Sequence, residues 1–525
     1  MTKKFENYPI GKIELIFCFI FWIWNCLASI WVAIRTSRSL IPWISHNLID
    51  TDYIGDLKYD KSDLEWFLHK KIIFRLILCF SIHSTVFRLS HFSYQKFQYL
   101  TQFILILFWS GITVFLTSQQ CFTLLICHAV VLITVCSYFR KELIAWVTCI
   151  ALVVYANRYA FFSPEPERFY LEYTVYLYTA VQILNACIYL CRNPSRPISM
   201  SLILDIFEYL LYPTYSMTLI VLFDDFQRQI TVVRKKAKFG IWWTSEVDFK
   251  YVILKAVRLI FWFYFTELFL HFIYANSIMI APFTLISGLN NYEVASIAYM
   301  SGVFFHLKYV IIFGIPSLFT LIDGLTPPGP PVCISRISKY SQMWRYFDRG
   351  LYEFLKHQVY IPFMGNATGI ELTLRRLGAL VGVFSFVLAW HGTKSNYLMW
   401  VILSAFEIIV ERIGKWITST KKWKTFENKI GPANAIRLTA ISMIFTIIPG
   451  LLGVFYFLAQ VGTGDEISRK LFVQGFGNLL FNGELSYGSP GGVVVHMLTL
   501  GYFYNHCCLY LEYKFHPRLA KYKVD

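Results

Sequence analysis

Apolar stretches long enough to cross a membrane recur along almost the whole chain, and they limit its fold more than any other feature. A helix needs about 20 predominantly apolar residues to span the hydrocarbon core. Such stretches include Ile13–Ile34, Leu171–Leu190, Val252–Tyr274 and Ala435–Leu458. Only 15% of the residues are charged, against about 25% in soluble domains. The sequence therefore predicts an all-α, polytopic transmembrane protein with about eleven to thirteen spans or re-entrant segments.

The charge of the chain is strongly positive, at +16. The basic residues form short clusters between the apolar stretches, such as Arg234–Lys238 and Lys421–Lys424. This distribution follows the positive-inside rule, so we expect the charge to reflect membrane topology and not nucleic-acid binding. Lys521 and Lys523 stand fifth and third from the last residue. They match a dilysine signal for retrieval to the endoplasmic reticulum, and a basic cytosolic tail is the equally weighted alternative.

The chain is expected to have two parts. Residues 1–200 contain amino-terminal transmembrane helices, and residues 201–525 contain a core interrupted by a mixed, re-entrant or amphipathic segment at 326–376. That segment opens with Thr326–Val332, where four of seven residues are proline, so no helix continues through it. Apolar residues then recur at helical spacing between charged ones over 340–356, which predicts one amphipathic helix at the membrane interface.

Two titratable residues, Asp348 and His391, stand next to or within apolar sequence, where an ionisable side chain is costly and hence a functional candidate. Asp348 lies on the predicted amphipathic helix, and His391 ends the apolar run that precedes it. Each also has a plainer interpretation. Asp348 alone is more typical of a solvated charge paired with a neighbouring cation. His391 alone is equally typical of an interfacial histidine at a helix end.

The motifs around these two residues resemble those of a known family. Met343–Asp348, Gly350-Leu351, Val359–Pro362 and Trp390–Gly392 together resemble the membrane-bound O-acyltransferase (MBOAT) superfamily, and within it the Hedgehog acyltransferase branch. The resemblance is most specific over 333–392 and runs from about Leu202 to the end of the chain.

The resemblance implies a function and a set of site residues. It implies transfer of a long-chain acyl group, palmitoyl, from palmitoyl-CoA to the N-terminal cysteine amine of a secreted Hedgehog-type protein, in the endoplasmic reticulum membrane or alternatively the Golgi membrane. Acyl-CoA, the secreted acceptor and membrane lipid would be the partners. The implied site has His391 and Asp348 as catalytic residues, Trp344, Arg345, Arg349 and Lys356 as substrate-binding residues, and Cys333 as a haem b thiolate ligand or an acylated cysteine.

Three other functions remain open. An O-acyltransferase of the glycerol-uptake type would act on a hydroxyl or a lipid, but its motif has histidine near the position of Asp348. A non-catalytic regulator of palmitoylation would lack the equivalent of His391, which this chain retains. A transporter is disfavoured because the two halves of the chain show no internal repeat.

Overall fold

Helices account for most of the protein in this computed structural model, which describes residues 8–51, 55–94, 96–159, 161–237, 248–366 and 368–519. The strands among these residues form a short antiparallel hairpin of β1 (Leu48–Asp50) and β2 (Lys58–Asp60), in which Ile49 lies opposite Tyr59. The tail lysines Lys521 and Lys523 lie outside the described residues.

The helices differ widely in length, from a single turn to thirty-one residues in the longest. The amino-terminal helices are α1 (Lys12–Ser39), α2 (Ile41–Ile44), α3 (Leu64–Tyr94), α4 (Gln98–Leu116), α5 (Gln119–Phe139), α6 (Glu142–Arg158) and α7 (Pro166–Arg192). The later helices are α8 (Met200–Leu211), α9 (Phe223–Ala237), α10 (Phe249–Phe272), α11 (Ala275–Met279), α12 (Phe283–Gly288), α13 (Asn291–Ile312), α14 (Gly314–Ile322), α15 (Tyr340–Tyr346), α16 (Arg349–Leu355), α17 (Ile361–Met364), α18 (Gly369–His391), α19 (Ser395–Ser419), α20 (Lys421–Ile430), α21 (Pro432–Ser442), α22 (Ile444–Leu458), α23 (Thr463–Ser468), α24 (Gln474–Gly477) and α25 (Pro490–Leu519).

Eight helical stretches among the described residues are long and apolar enough to cross a membrane: α1, α3, α4, α5, α7, α13 with α14, α18, and α21 with α22. The predicted all-α, polytopic fold class is thereby confirmed. Other predicted segments fall on shorter helices, such as the 17-residue α6, or on helices with several charges, such as α19. Helices α7 and α13 are largely buried, whereas α1 and α18 expose most of their apolar side chains, as lipid-facing helices do.

The two ends of the bundle can be told apart by the segments that meet there. At one end, the start of α1 meets the end of α25 through Tyr8 and Tyr510, and Glu14 accepts a 2.9 Å hydrogen bond from Arg437 of α21. We call this the tail end. At the other, the hairpin end, Asp60 of β2 accepts a 2.7 Å hydrogen bond from the Ser277 hydroxyl of α11. Helix α3 begins at the hairpin end, directly after β2.

The amphipathic helix predicted over 340–356 is broken in two, so the prediction of one continuous helix is wrong. The break is at Asp348, whose backbone is extended and whose carboxylate accepts a 2.9 Å hydrogen bond from the Leu351 amide. An aspartate at this position satisfies an otherwise unpaired amide of the next helix and so starts α16. A π-helical turn, Lys356–Tyr360, then leads into α17.

Candidate active site

His391 is the last residue of α18 and lies where the chain turns back into α19. Helix α18 ends here because Gly392 has φ +107°, a conformation that side chains rarely adopt. The imidazole meets the rings of Trp400 and Phe457 edge-on, with centroids 5.2 Å away in each case. The ring is half-buried, so one side of it remains available to a substrate.

His391 lines a cavity of about 430 Å³. The cavity is enclosed by the first half of α7, the second half of α13, the turn between α18 and α19, the end of α22 and the residues that precede and begin α3. Because α3 and α7 begin there, the cavity lies at the hairpin end of the bundle. It is the space in which a group could approach the His391 imidazole.

Asp348 lies behind the wall of this cavity and does not line it. The ring of the preceding residue, Phe347, stacks on cavity-lining Phe305 with centroids 5.2 Å apart. Asp348 also interacts electrostatically with Tyr178, another wall residue. Burial raises the pKa of the Asp348 carboxyl to about 6, although the Leu351 and Gly350 amides that it accepts from oppose this rise. No hydrogen bond joins Asp348 to His391 among the described contacts.

A layer of aromatic rings connects the two halves of the site. Trp344 stacks on Trp400, with centroids 5.4 Å apart and 23° between the ring planes, and Trp400 in turn contacts His391. The indole Nε1 of Trp344 is buried and has no hydrogen-bond partner among the described residues. Trp344 therefore links the segment that carries Asp348 to the imidazole. Its role in substrate binding stays a prediction.

The three predicted cationic residues lie beside Asp348, on the side away from the cavity. Lys356 and Arg349 pair with Glu353 at 3.1 and 3.5 Å, and Arg345 lies over the ring of Tyr352. None of these three cations pairs with Asp348 among the described contacts, and Asp348 caps α16, so the interpretation of Asp348 as a solvated ion-pair partner is wrong.

These cations also lie towards the tail end. The carbonyl of His357, in the turn after α16, accepts a 3.3 Å hydrogen bond from Arg192 at the end of α7. Since α7 begins at the cavity and ends here, the cations and the cavity lie on opposite sides of the aromatic layer.

The family model of the membrane-bound O-acyltransferases matches residues 56–454. The chain belongs to this family. The match includes both His391 and Asp348, and it begins well before Leu202, where the resemblance of the motifs begins. The predicted family is therefore confirmed, over a longer part of the chain than the motifs alone indicated.

Comparison with individual proteins shows which members of the family the chain resembles. The chain is 26% identical over 442 residues to the protein-cysteine N-palmitoyltransferase HHAT of Mus musculus, covering 80% of this chain and 85% of that protein. It is 34% identical over 184 residues to the protein-cysteine N-palmitoyltransferase Rasp of Drosophila melanogaster, covering 35% and 36% of the two chains. The similarity to the membrane-bound O-acyltransferase GUP1 of Saccharomyces cerevisiae is weaker, at 24% over 156 residues, or 30% and 26% of the chains.

Cys333 lies outside the cavity, directly before a short turn at Ile334–Arg336. The turn is held by the Tyr504 hydroxyl, which donates a 3.1 Å hydrogen bond to the Ile334 carbonyl. The described residues contain no cluster of three or more His, Cys, Asp or Glu side chains that could hold a metal ion. A haem thiolate site needs only one cysteine from the protein. The thiol of Cys333 is free and half-buried, and its role as a haem ligand or an acylated cysteine stays a prediction.

The polar wall of the cavity was not found from the sequence. Lys308 lies in the apolar run of α13, and its ammonium contacts Asp63 at 2.8 Å and Glu65 at 2.7 Å. Tyr309 donates to the same Glu65 carboxylate at 3.1 Å. The sequence contained one signal for this cluster, the position of Lys308 inside a long apolar stretch. A lysine there implies a buried carboxylate partner, but the sequence does not identify that partner.

Proposed function

We propose that this protein transfers a palmitoyl or similar long-chain acyl group from acyl-CoA to the N-terminal cysteine amine of a secreted, Hedgehog-type protein. The observation that carries the proposal is the position of His391, which lines a cavity at the hairpin end of the bundle. An aromatic layer separates this cavity from the cations Arg345, Arg349 and Lys356. Family membership supports acyl transfer. The names of HHAT and Rasp support a cysteine amine as the acceptor.

His391 would act as the general base. An α-amine has a pKa near 8, so only a minor part of it is unprotonated and nucleophilic at neutral pH. The imidazole accepts a proton as the nitrogen attacks the thioester carbonyl; the new C–N bond forms, the C–S bond breaks and the CoA thiolate leaves. Trp400 and Phe457, which pack on the imidazole, fix its orientation and keep water from the thioester.

Asp348 would act through its charge and through the helix that it starts. With a pKa of about 6, its carboxyl is largely ionised at neutral pH and can stabilise the positive charge that develops during amine attack. Because no hydrogen bond joins it to His391, it would not orient the imidazole directly. By capping α16 it also positions the cations Arg349 and Lys356.

The acyl-CoA would enter from the tail end. Arg345, Arg349 and Lys356 are cations on that side and can contact the CoA phosphates. The acyl chain would lie among apolar helices, where each buried methylene contributes about 0.8 kcal/mol.

We place the protein in the endoplasmic reticulum membrane with a cytosolic tail end, which puts the cavity on the lumenal side, where secreted acceptors are found. Cys333 would bind haem b or carry an acyl group.

The proposal is tested with purified protein, labelled palmitoyl-CoA and a short peptide that begins with cysteine. The expected product is a palmitoylated peptide whose label resists hydroxylamine, because an amide survives that treatment and a thioester does not. A peptide with a blocked α-amine should receive no hydroxylamine-resistant label. Transfer to a serine hydroxyl or to a lipid, with none to the peptide, would overturn the proposal in favour of an O-acyltransferase.

A further inference from the structure

The cavity beside His391 has an acidic wall, although the whole chain carries a charge of +16. Besides His391, the charged residues that line it are Asp63, Glu65 and Lys308. Two carboxylates against one ammonium leave a net charge of −1 on this wall. CoA, which carries several phosphate charges, would be repelled from it, whereas a cation would be attracted.

Glu65 is the member of this cluster that remains available to a ligand. One oxygen of Asp63 caps α3 by accepting the Trp66 amide at 2.8 Å, and the other contacts Lys308. Lys308 itself is only 5% exposed, whereas the side chain of Glu65 is 36% exposed. Glu65 accepts from Lys308 and Tyr309, and a carboxylate offers about four acceptor sites. It can therefore accept a further donor from the cavity.

A second observation also indicates a polar ligand here. Ser301 is 2% exposed and lines the same cavity, and its hydroxyl takes part in none of the hydrogen bonds among the described residues. It lies on the face of α13 that also presents Phe305 and Lys308, since these residues follow at four and seven positions. The Ser301 hydroxyl can therefore donate to or accept from a polar group of a ligand in the cavity.

We propose that Glu65, supported by Asp63 and Lys308, binds a cationic nitrogen of the acceptor peptide and so selects the acceptor by charge. This inference rests on the proposed function for the identity of the acceptor. Two sources share the required chemistry: the α-ammonium group, which predominates at neutral pH, and a basic side chain close to the N-terminus. Binding at Glu65 would hold the peptide in the cavity that His391 lines.

The experiment measures binding without turnover. A short peptide with a free N-terminal cysteine, one arginine and a carboxy-terminal fluorophore is titrated with the full-length protein in the absence of acyl-CoA. Glu65→Gln should weaken binding about tenfold, because it removes one charge-assisted interaction. Glu371→Gln is the matched control, since Glu371 is an exposed carboxylate paired with Arg375 at the start of α18, and it should bind like the wild type.

One further peptide identifies the source of the cation. With a peptide that lacks arginine, a persisting effect of Glu65→Gln assigns the contact to the α-ammonium group. A lost effect, together with weaker wild-type binding, assigns it to the basic side chain; both results support the proposal. Turnover should show a raised KM for the peptide in Glu65→Gln and an unchanged KM for palmitoyl-CoA, which a general structural defect would not produce.

Unchanged peptide affinity in a folded Glu65→Gln variant would overturn the inference. If that variant does not fold, Asp63→Asn provides the same test, because asparagine keeps the cap of α3 and removes a charge. Binding does not depend on acyl transfer. A wild-type protein that binds the peptide through Glu65 but never acylates it would overturn the proposed function and leave this inference intact.

Discussion

Asp348 has two roles in this account, and substitutions can separate them. The carboxylate caps α16 through the Leu351 amide, and its charge would stabilise the transition state. Asparagine caps helices about as well as aspartate does, whereas alanine does not. We therefore expect Asp348→Asn to keep the structural role and lose the electrostatic one, and Asp348→Ala to lose both.

The expected magnitudes follow from general values for helix capping and for the interaction of two charges. Loss of an N-cap costs about 1 kcal/mol, which would lower the Tm by no more than about 2–4 °C. No hydrogen bond joins Asp348 to His391 among the described contacts, so the carboxylate would act through space. At an effective dielectric constant of 20, a unit charge about 8 Å from the developing charge contributes about 2 kcal/mol, or about 30-fold in rate.

The assay compares thermal unfolding and kcat/KM for the wild type and both variants. Asp348→Asn should unfold like the wild type and be about 30-fold slower, and Asp348→Ala should be both less stable and slower. Wild-type activity in Asp348→Asn would refute the electrostatic role. A stability loss in Asp348→Asn equal to that in Asp348→Ala would refute the capping role.

Three other predictions concern the rest of the molecule. A glycosylation tag placed after Asp525 should stay unmodified, because the tail end is assigned to the cytosol; efficient glycosylation would contradict that orientation. If Cys333 is a haem ligand, the purified protein should show a Soret band that Cys333→Ala abolishes; absence of the band, with a thioester-linked acyl group on Cys333, would favour the acylated cysteine. Gly350→Ala should lower activity and stability, since the Ile220 backbone leaves no room for a Cβ there; a wild-type Tm would contradict this packing.

Apolar length and short motifs were sufficient to predict the fold class and the family, whereas the catalytic roles of His391 and Asp348 stay predictions. The helix break at Asp348 was not predicted. Apolar periodicity alone does not show whether an aspartate lies inside a helix or caps the start of a new one. The pairing of Glu353 with Arg349 and Lys356 was not predicted either, because several charges lie within two turns and the sequence allows several pairings among them.

The acidic wall of the cavity could not be predicted for a different reason. Lys308 contacts Asp63 and Glu65, which are more than 240 positions away in the chain. Such contacts depend on how the helices pack, and the apolar pattern of each helix sets only which face is buried, not which helix it meets. The position of the cavity between α7 and α13 likewise depends on packing.

The central claim is that acyl transfer to an amine takes place at His391 in this cavity. The most direct test is the single-turnover rate of palmitoyl-amide formation on the cysteine peptide, with the wild type and His391→Ala compared at saturating palmitoyl-CoA. Loss of a general base should slow this step by about two to four orders of magnitude and leave the affinity for palmitoyl-CoA unchanged. Wild-type rates of amide formation in His391→Ala would contradict the account.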